Sequence, residues 1–142
     1  MLDSLRFLVR EKRVWLYGYV IMSNHIHLLW RKQDECLDKS VQQQFLKYTA
    51  QQIRFNLVQN HMAELEKYKS TQADRQYHFW ERRPYKATMF TRAVLEEKLE
   101  YIHFNPVKAG LCPLPEDYQY SSAGYYFLNK ENLLITHYLD HF

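Results

Sequence analysis

The sequence predicts an α+β fold in which an antiparallel hairpin is carried between helices. Three observations predict it. Leu2, Leu5, Leu8 and Val9 recur at helical spacing near the start. "VWLYGYVIM" and "HIHLLW" read as two strands separated by a Ser23–Asn24 turn. Two long stretches of helical period follow, one after Ser40 and one after Thr91. The 142 residues amount to about one domain, and residues 1–142 are read as a single one.

Each element has its own local signals. Residues 2 to 12 read as an amphipathic helix. In "VWLYGYVIM", Trp15, Tyr17 and Tyr19 share one face by strict alternation, and Val14, Leu16, Gly18 and Val20 share the other. Ser23 and Asn24 suit a tight turn. On the returning strand, Ile26, Leu28 and Trp30 are expected to face the core. Ser40 with Gln43 resembles a capping box, opening a helix with Phe45, Tyr48, Ile53 and Leu57 inward. The polar run from Glu64 to Arg75 has no strong period and reads as an exposed, mobile connection. "QYHFWERRPYKATMF" reads as strand-like segments interrupted by Pro84. Thr91 can cap the helix of "RAVLEEKLEYIHFN", whose buried stripe is Leu95, Leu99 and Ile102. Pro106 disfavours helical geometry at Asn105 and is expected to bend or end the helix there. Gly110, Pro113 and Pro115 punctuate later turns, and "YQYSSAGYY" and "LLITHYLDHF" read as short packing elements.

Composition narrows the function classes. Charged residues at 25% and an aromatic share driven by 12 Tyr exclude a disordered chain. The net charge of +3 is a mild basic excess that fits a nucleic-acid ligand. Cys36 and Cys112 are isolated, which argues against a cysteine zinc site and fits a reducing cytosol. The start is too charged for a signal-peptide core and no apolar run is long enough to span a membrane. No membrane partner is expected.

Two constellations carry chemistry. Residues two apart on a strand point the same way, so His25 and His27 present two imidazoles on one face with Leu29. Neutral imidazoles at that spacing can chelate one divalent ion, although H-x-H is short and also arises from two ordinary half-buried histidines. In "LEYIHFNPVKAGL", Tyr101 and Asn105 are one helical turn apart and lie off the Leu95–Leu99–Ile102 stripe. An accessible phenol beside an amide oxygen suggests a nucleophile with a metal ligand, although in a chain with 12 Tyr the pair taken alone reads as a tyrosine packed at a helix edge and an asparagine near a helix end. His103 and Lys108 are the nearest spare bases.

Taken together, "YVIMSNHIHLLW", "FWERRPYKA", "KLEYIHFNPVKAGL" and "PEDYQYSSAGYY" resemble, in order and spacing, the single-tyrosine HUH transposases. The branch most resembled is the REP-associated tyrosine transposases, also called IS200-like. The resemblance runs from about the first helix to "YSSAGYY". It implies a ferredoxin-like two-layer sandwich with an antiparallel sheet and helices on one face. His25 and His27 match the family's metal-binding histidines, and Tyr101 matches its nucleophile. Asn105, one turn later, matches a position that often gives a third ligand. The implied metal is Mg²⁺ or Mn²⁺. The implied reaction is cleavage and rejoining of single-stranded or hairpin DNA, with Tyr101 left on a 5′ phosphate. The implied setting is the bacterial cytoplasm, at the nucleoid.

Arg82, Arg83 and Lys86 interleave with aromatics and are candidate DNA contacts, with Lys47, Arg54 and Lys108 as further phosphate contacts. Family members begin with a strand ahead of the first helix, whereas this chain starts in the helix and is expected to lack that strand. An open strand edge invites pairing, so a homodimer is expected. The alternative is a catalytically inactive DNA-binding remnant of a transposase; a nuclease using water instead of Tyr101 is more distant.

Overall fold

The computed structural model describes residues 1–37, 40–74, 76–81, 85–88 and 91–142. The chain forms two compact units, Met1–Leu37 with Thr88–Phe142, and Asp38–Ala87. The first unit is α+β, with helices and a two-stranded antiparallel sheet, and is compatible with a ferredoxin-like sandwich.

Helix α1 (Leu2–Arg10) buries Leu5 and Leu8 and packs beside strand β1 (Val14–Ile21). β1 pairs with β2 (Ile26–Lys32) through the Ser23–Asn24 turn, closed by the Met22 N–H donating to the His25 carbonyl at 2.9 Å. The expected alternation of β1 breaks in its middle. The register shifts between Leu16 and Gly18, so one extra residue, Tyr17, stands on the bulged strand. Beyond the bulge every side chain changes face. Tyr17 and Val20, expected on opposite sides, join one apolar cluster with Met22 and Leu29.

That cluster is completed by Leu95, Leu99 and Ile102 of α4 (Arg92–Lys108). Each of these three is 6% exposed or less, and burying such a side chain contributes about 1.5–3 kcal/mol. The helix therefore covers the face of β2 that carries Leu29. Ile26, Leu28 and Trp30, expected to face the core, are only half-buried, because the helix lies on the histidine side. Gly18 permits this close approach: a Cβ there would run into Leu99 Cδ1 and lie 3.2 Å from Ile102 Cδ1.

Thr91 caps α4 as expected, its hydroxyl accepting from the Val94 N–H at 3.3 Å. Pro106 does not end the helix. It continues to Lys108, and Gly110 at φ +71 closes it. Gly110 N–H donates to Val107 and Leu111 N–H to Pro106, each at 2.9 Å, the paired bonds of a Schellman motif. Burial of Ile102 and this closure outweigh the hydrogen bond lost at the proline.

The C-terminal segments line the other edge of β1. Ile21 N–H donates to Tyr120 O, Ser122 N–H to Tyr19 O and Thr136 N–H to Leu16 O. Helix α5 (Ala123–Leu128) adds the Tyr126 hydroxyl, donating to Tyr17 O at 2.7 Å. Since Tyr19 and Ile21 turn their backbone groups away from β2, their partners Leu28 and Ile26 turn theirs outward. Among the described residues no backbone hydrogen bond reaches Ile26 or Leu28 from that outer side.

The second unit holds α2 (Val41–Asn60) and α3 (Met62–Leu65). Ser40 stands at the N-cap of α2 but makes no side-chain capping bond, its backbone lying at φ −138, ψ 52. Tyr48, expected inward, is exposed. Thr49 takes the inner position, donating to Phe45 O at 2.8 Å and accepting from Trp80 Nε1 at 3.1 Å. The stretch expected as a loose connection after Glu64 instead contains the end of α3, a 3-10 turn at Glu66–Tyr68 and a bridge between Lys69 and Tyr77, with Leu65 buried. Of the strand-like reading of "QYHFWERRPYKATMF", only that bridge is found among the described residues. Pro84 lies outside them.

Candidate metal and nucleophile site

The hairpin aims His25 and His27 at the face covered by α4. Their ring centroids lie 5.0 Å apart at 77°. Two imidazoles in neighbouring positions on one octahedral ion stand roughly 4.5–5 Å apart, given metal–nitrogen bonds of about 2.1 Å. The pair is thus already close to chelating geometry. Both rings are half-buried.

The nitrogens are oriented as well as placed. His25 Nδ1 lies 2.7 Å from Asn24 Oδ1. His27 Nε2 lies 3.2 Å from the Asn105 amide nitrogen, so its lone pair faces the helix. Burial holds the pKa of His27 below the usual imidazole value, and the neighbouring His25 pushes the same way. A neutral imidazole is the form that binds a metal.

α4 supplies the remaining groups from one face. Tyr101, Asn105 and Lys108 follow one another at helical spacing. The Tyr101 ring meets His27 edge-on, centroids 5.7 Å apart at 81°. The residue is 47% exposed. Lys108 Nζ lies 5.2 Å from the Tyr101 ring centroid. Thus five residues singled out from sequence, His25, His27, Tyr101, Asn105 and Lys108, come together across two elements.

The donor set is two imidazoles and one neutral amide. Among the described residues no three His, Cys, Asp or Glu gather as a metal cluster. Such a set leaves octahedral positions to water and to oxygens of a bound substrate. It is not a closed structural zinc site.

His103 is not a spare base. Helical periodicity turns it from the Tyr101 face into the core, where it is 1% exposed and Nε2 lies 2.8 Å from Ser122 Oγ. Burial takes its pKa down to about 4. Ser122 Oγ also accepts from the Tyr19 N–H at 2.9 Å, tying α4 to β1 through a polar knot. Lys47 and Arg54 are exposed on α2, where Arg54 covers the Tyr77 ring at 5.5 Å, and Lys86 is exposed in the same unit. Arg82 and Arg83 lie outside the described residues.

Two contributors escaped the sequence reading. Asn24 passes for a turn residue, although its place immediately before the first histidine was a readable signal. Ser122 carries no local signal, because its partners lie far away in sequence. No protein-family model, no curated protein and no solved structure matches the chain. Among the described residues no helix is long and apolar enough to cross a membrane.

Proposed function

We propose that the chain is a metal-dependent DNA transesterase of the single-tyrosine HUH type, akin to the REP-associated tyrosine transposases, acting on single-stranded or hairpin DNA. One observation carries the reading: the Tyr101 ring stands 5.7 Å from His27, which is itself 5.0 Å from His25. A nucleophile and a chelating pair from distant parts of the chain meet.

His25, His27 and Asn105 would hold Mg²⁺ or Mn²⁺. When bound, the ion polarises the scissile phosphate and neutralises charge developing on its oxygens. Tyr101 Oη attacks phosphorus; the Oη–P bond forms and the P–O3′ bond breaks. The phenol proton passes to solvent and the departing 3′ oxygen takes one up. The product is a 5′-phosphotyrosine and a free 3′ hydroxyl, which reverses the step without a nucleotide cofactor. Lys108 adds positive charge beside the phenol for the DNA phosphate. The reading sets the protein's work in the bacterial cytoplasm, at the nucleoid. A homodimer belongs to the same proposal, with the outward backbone of Ile26 and Leu28 as its pairing edge.

The test is labelled hairpin DNA with Mn²⁺, resolved on a denaturing gel. A covalent adduct lost with chelator and in Tyr101→Phe supports the reading. A shifted native band without adduct points to a DNA-binding remnant. Free cut ends that survive Tyr101→Phe point to a nuclease using water. Either of the last two overturns transesterification.

A further inference from the structure

We infer that Asn24 is a positioning residue that fixes the tautomer of His25 and so prepares the metal site; the inference rests on the metal-binding reading above. A ligating histidine serves best when its second nitrogen donates to a fixed acceptor, which sets both the tautomer and the ring plane. Asn24 Oδ1 lies 2.7 Å from His25 Nδ1. A carbonyl oxygen only accepts, so His25 Nδ1 carries the proton and Nε2 keeps its lone pair. The contact is between chain neighbours at the hairpin tip, so it forms with the turn and does not depend on α4.

His27 is prepared by a different device. In the metal-free chain its Nε2 lone pair accepts the Asn105 amide N–H at 3.2 Å, so metal binding would exchange that bond for the ion and turn the amide to offer its oxygen. Both imidazoles thus have Nε2 unprotonated, His25 through the Asn24 contact and His27 through the Asn105 contact. Asn24 is exposed and the turn itself is closed by backbone groups, Met22 N–H to His25 O. A turn role alone leaves no reason for the amide to be spent on the adjacent ring.

Mn²⁺ binding to the full chain, followed by calorimetry or by the spin signal of the free ion, tests this. Asn24→Ala is expected to weaken binding about 10-fold, and Asn24→Asp, which keeps the acceptor, to restore it. Nitrogen NMR of the metal-free protein is expected to show His25 Nε2 unprotonated in the wild type and a mixture of tautomers in Asn24→Ala. Unchanged affinity in Asn24→Ala, or a wild-type His25 protonated on Nε2, overturns the inference and leaves the Tyr101 reading standing. Equal loss in Ala and Asp variants marks a turn role and also overturns it. A wild-type chain that binds no Mn²⁺ at millimolar concentration overturns the metal reading, and this inference with it.

Discussion

Lys108 holds its ammonium 5.2 Å from the ring centre of Tyr101, two turns back along the same face of α4. A cation over an aromatic face is attracted by the ring's quadrupole, by about 0.5–1 kcal/mol at an exposed site. On the transesterase reading this charge would also attract the DNA phosphate approaching Tyr101. Lys108→Ala is therefore expected to weaken single-strand binding at all sequences alike and to lower the salt slope of log K by about 1, while costing no more than about 1 kcal/mol of stability. Lys108→Arg should retain the slope. Binding titrations at several salt concentrations provide the check.

Tyr101→Phe removes one exposed hydroxyl and leaves the His27 edge contact in place. Its stability is expected within about 0.5 kcal/mol of the wild type. Adduct formation should vanish while DNA affinity changes by less than about threefold, roughly 0.7 kcal/mol. Denaturant melts and native gels, run beside the adduct assay, separate loss of chemistry from loss of fold.

His103 makes stability depend on pH. The ordinary value for a histidine is 6.5, and in the fold it falls to about 4. Between these values the unfolded chain binds the proton and the folded chain does not. Stability is therefore full above about pH 6.5, declines as pH drops towards about 4, and levels off below. The span is worth about 3 kcal/mol at most. Urea melts from pH 7.5 down to 4.5 should show this slope, and His103→Gln should remove most of it. Ser122→Ala strands both His103 and the Tyr19 N–H, so a loss of about 1–3 kcal/mol is expected at neutral pH.

Gly18→Ala pushes a methyl group into Leu99 and Ile102, both buried. Overpacking of this kind costs about 1–3 kcal/mol. It would also lift α4 from the sheet, so adduct formation should fall more than stability alone explains. Shortening Leu99 should relieve the clash, making Gly18→Ala with Leu99→Ala less damaging than the sum of the two, by more than about 0.5 kcal/mol. A double-mutant cycle read by denaturant melts decides it.

The parts of the site visible in sequence were those set by local periodicity. The i, i+2 spacing of His25 and His27 and the i, i+4 spacing of Tyr101 and Asn105 held in the fold, as did the Leu95–Leu99–Ile102 stripe and the Thr91 cap. What escaped was set by tertiary packing. A bulge needs no special residue, so the change of face at Tyr17 left no trace in the alternation. The side of β2 that becomes core depends on where α4 lands, and the apolar Ile26–Leu28–Trp30 row lost to the histidine face. Pro106 signals a stop locally, yet the burial of its neighbours carries the helix past it. His103 shows the same limit: its position relative to Tyr101 was plain, but its partner Ser122 comes from another segment.

The bond between His27 and Asn105 joins residues 78 positions apart. At elongation rates of about 5–20 residues per second, a ribosome releases the hairpin roughly 4–16 s before it releases the helix carrying the phenol. Throughout that interval the nascent chain displays imidazoles with no attacking group beside them. On the transesterase reading, the chain would carry no group able to attack DNA beside the imidazoles until the Tyr101 helix has been made.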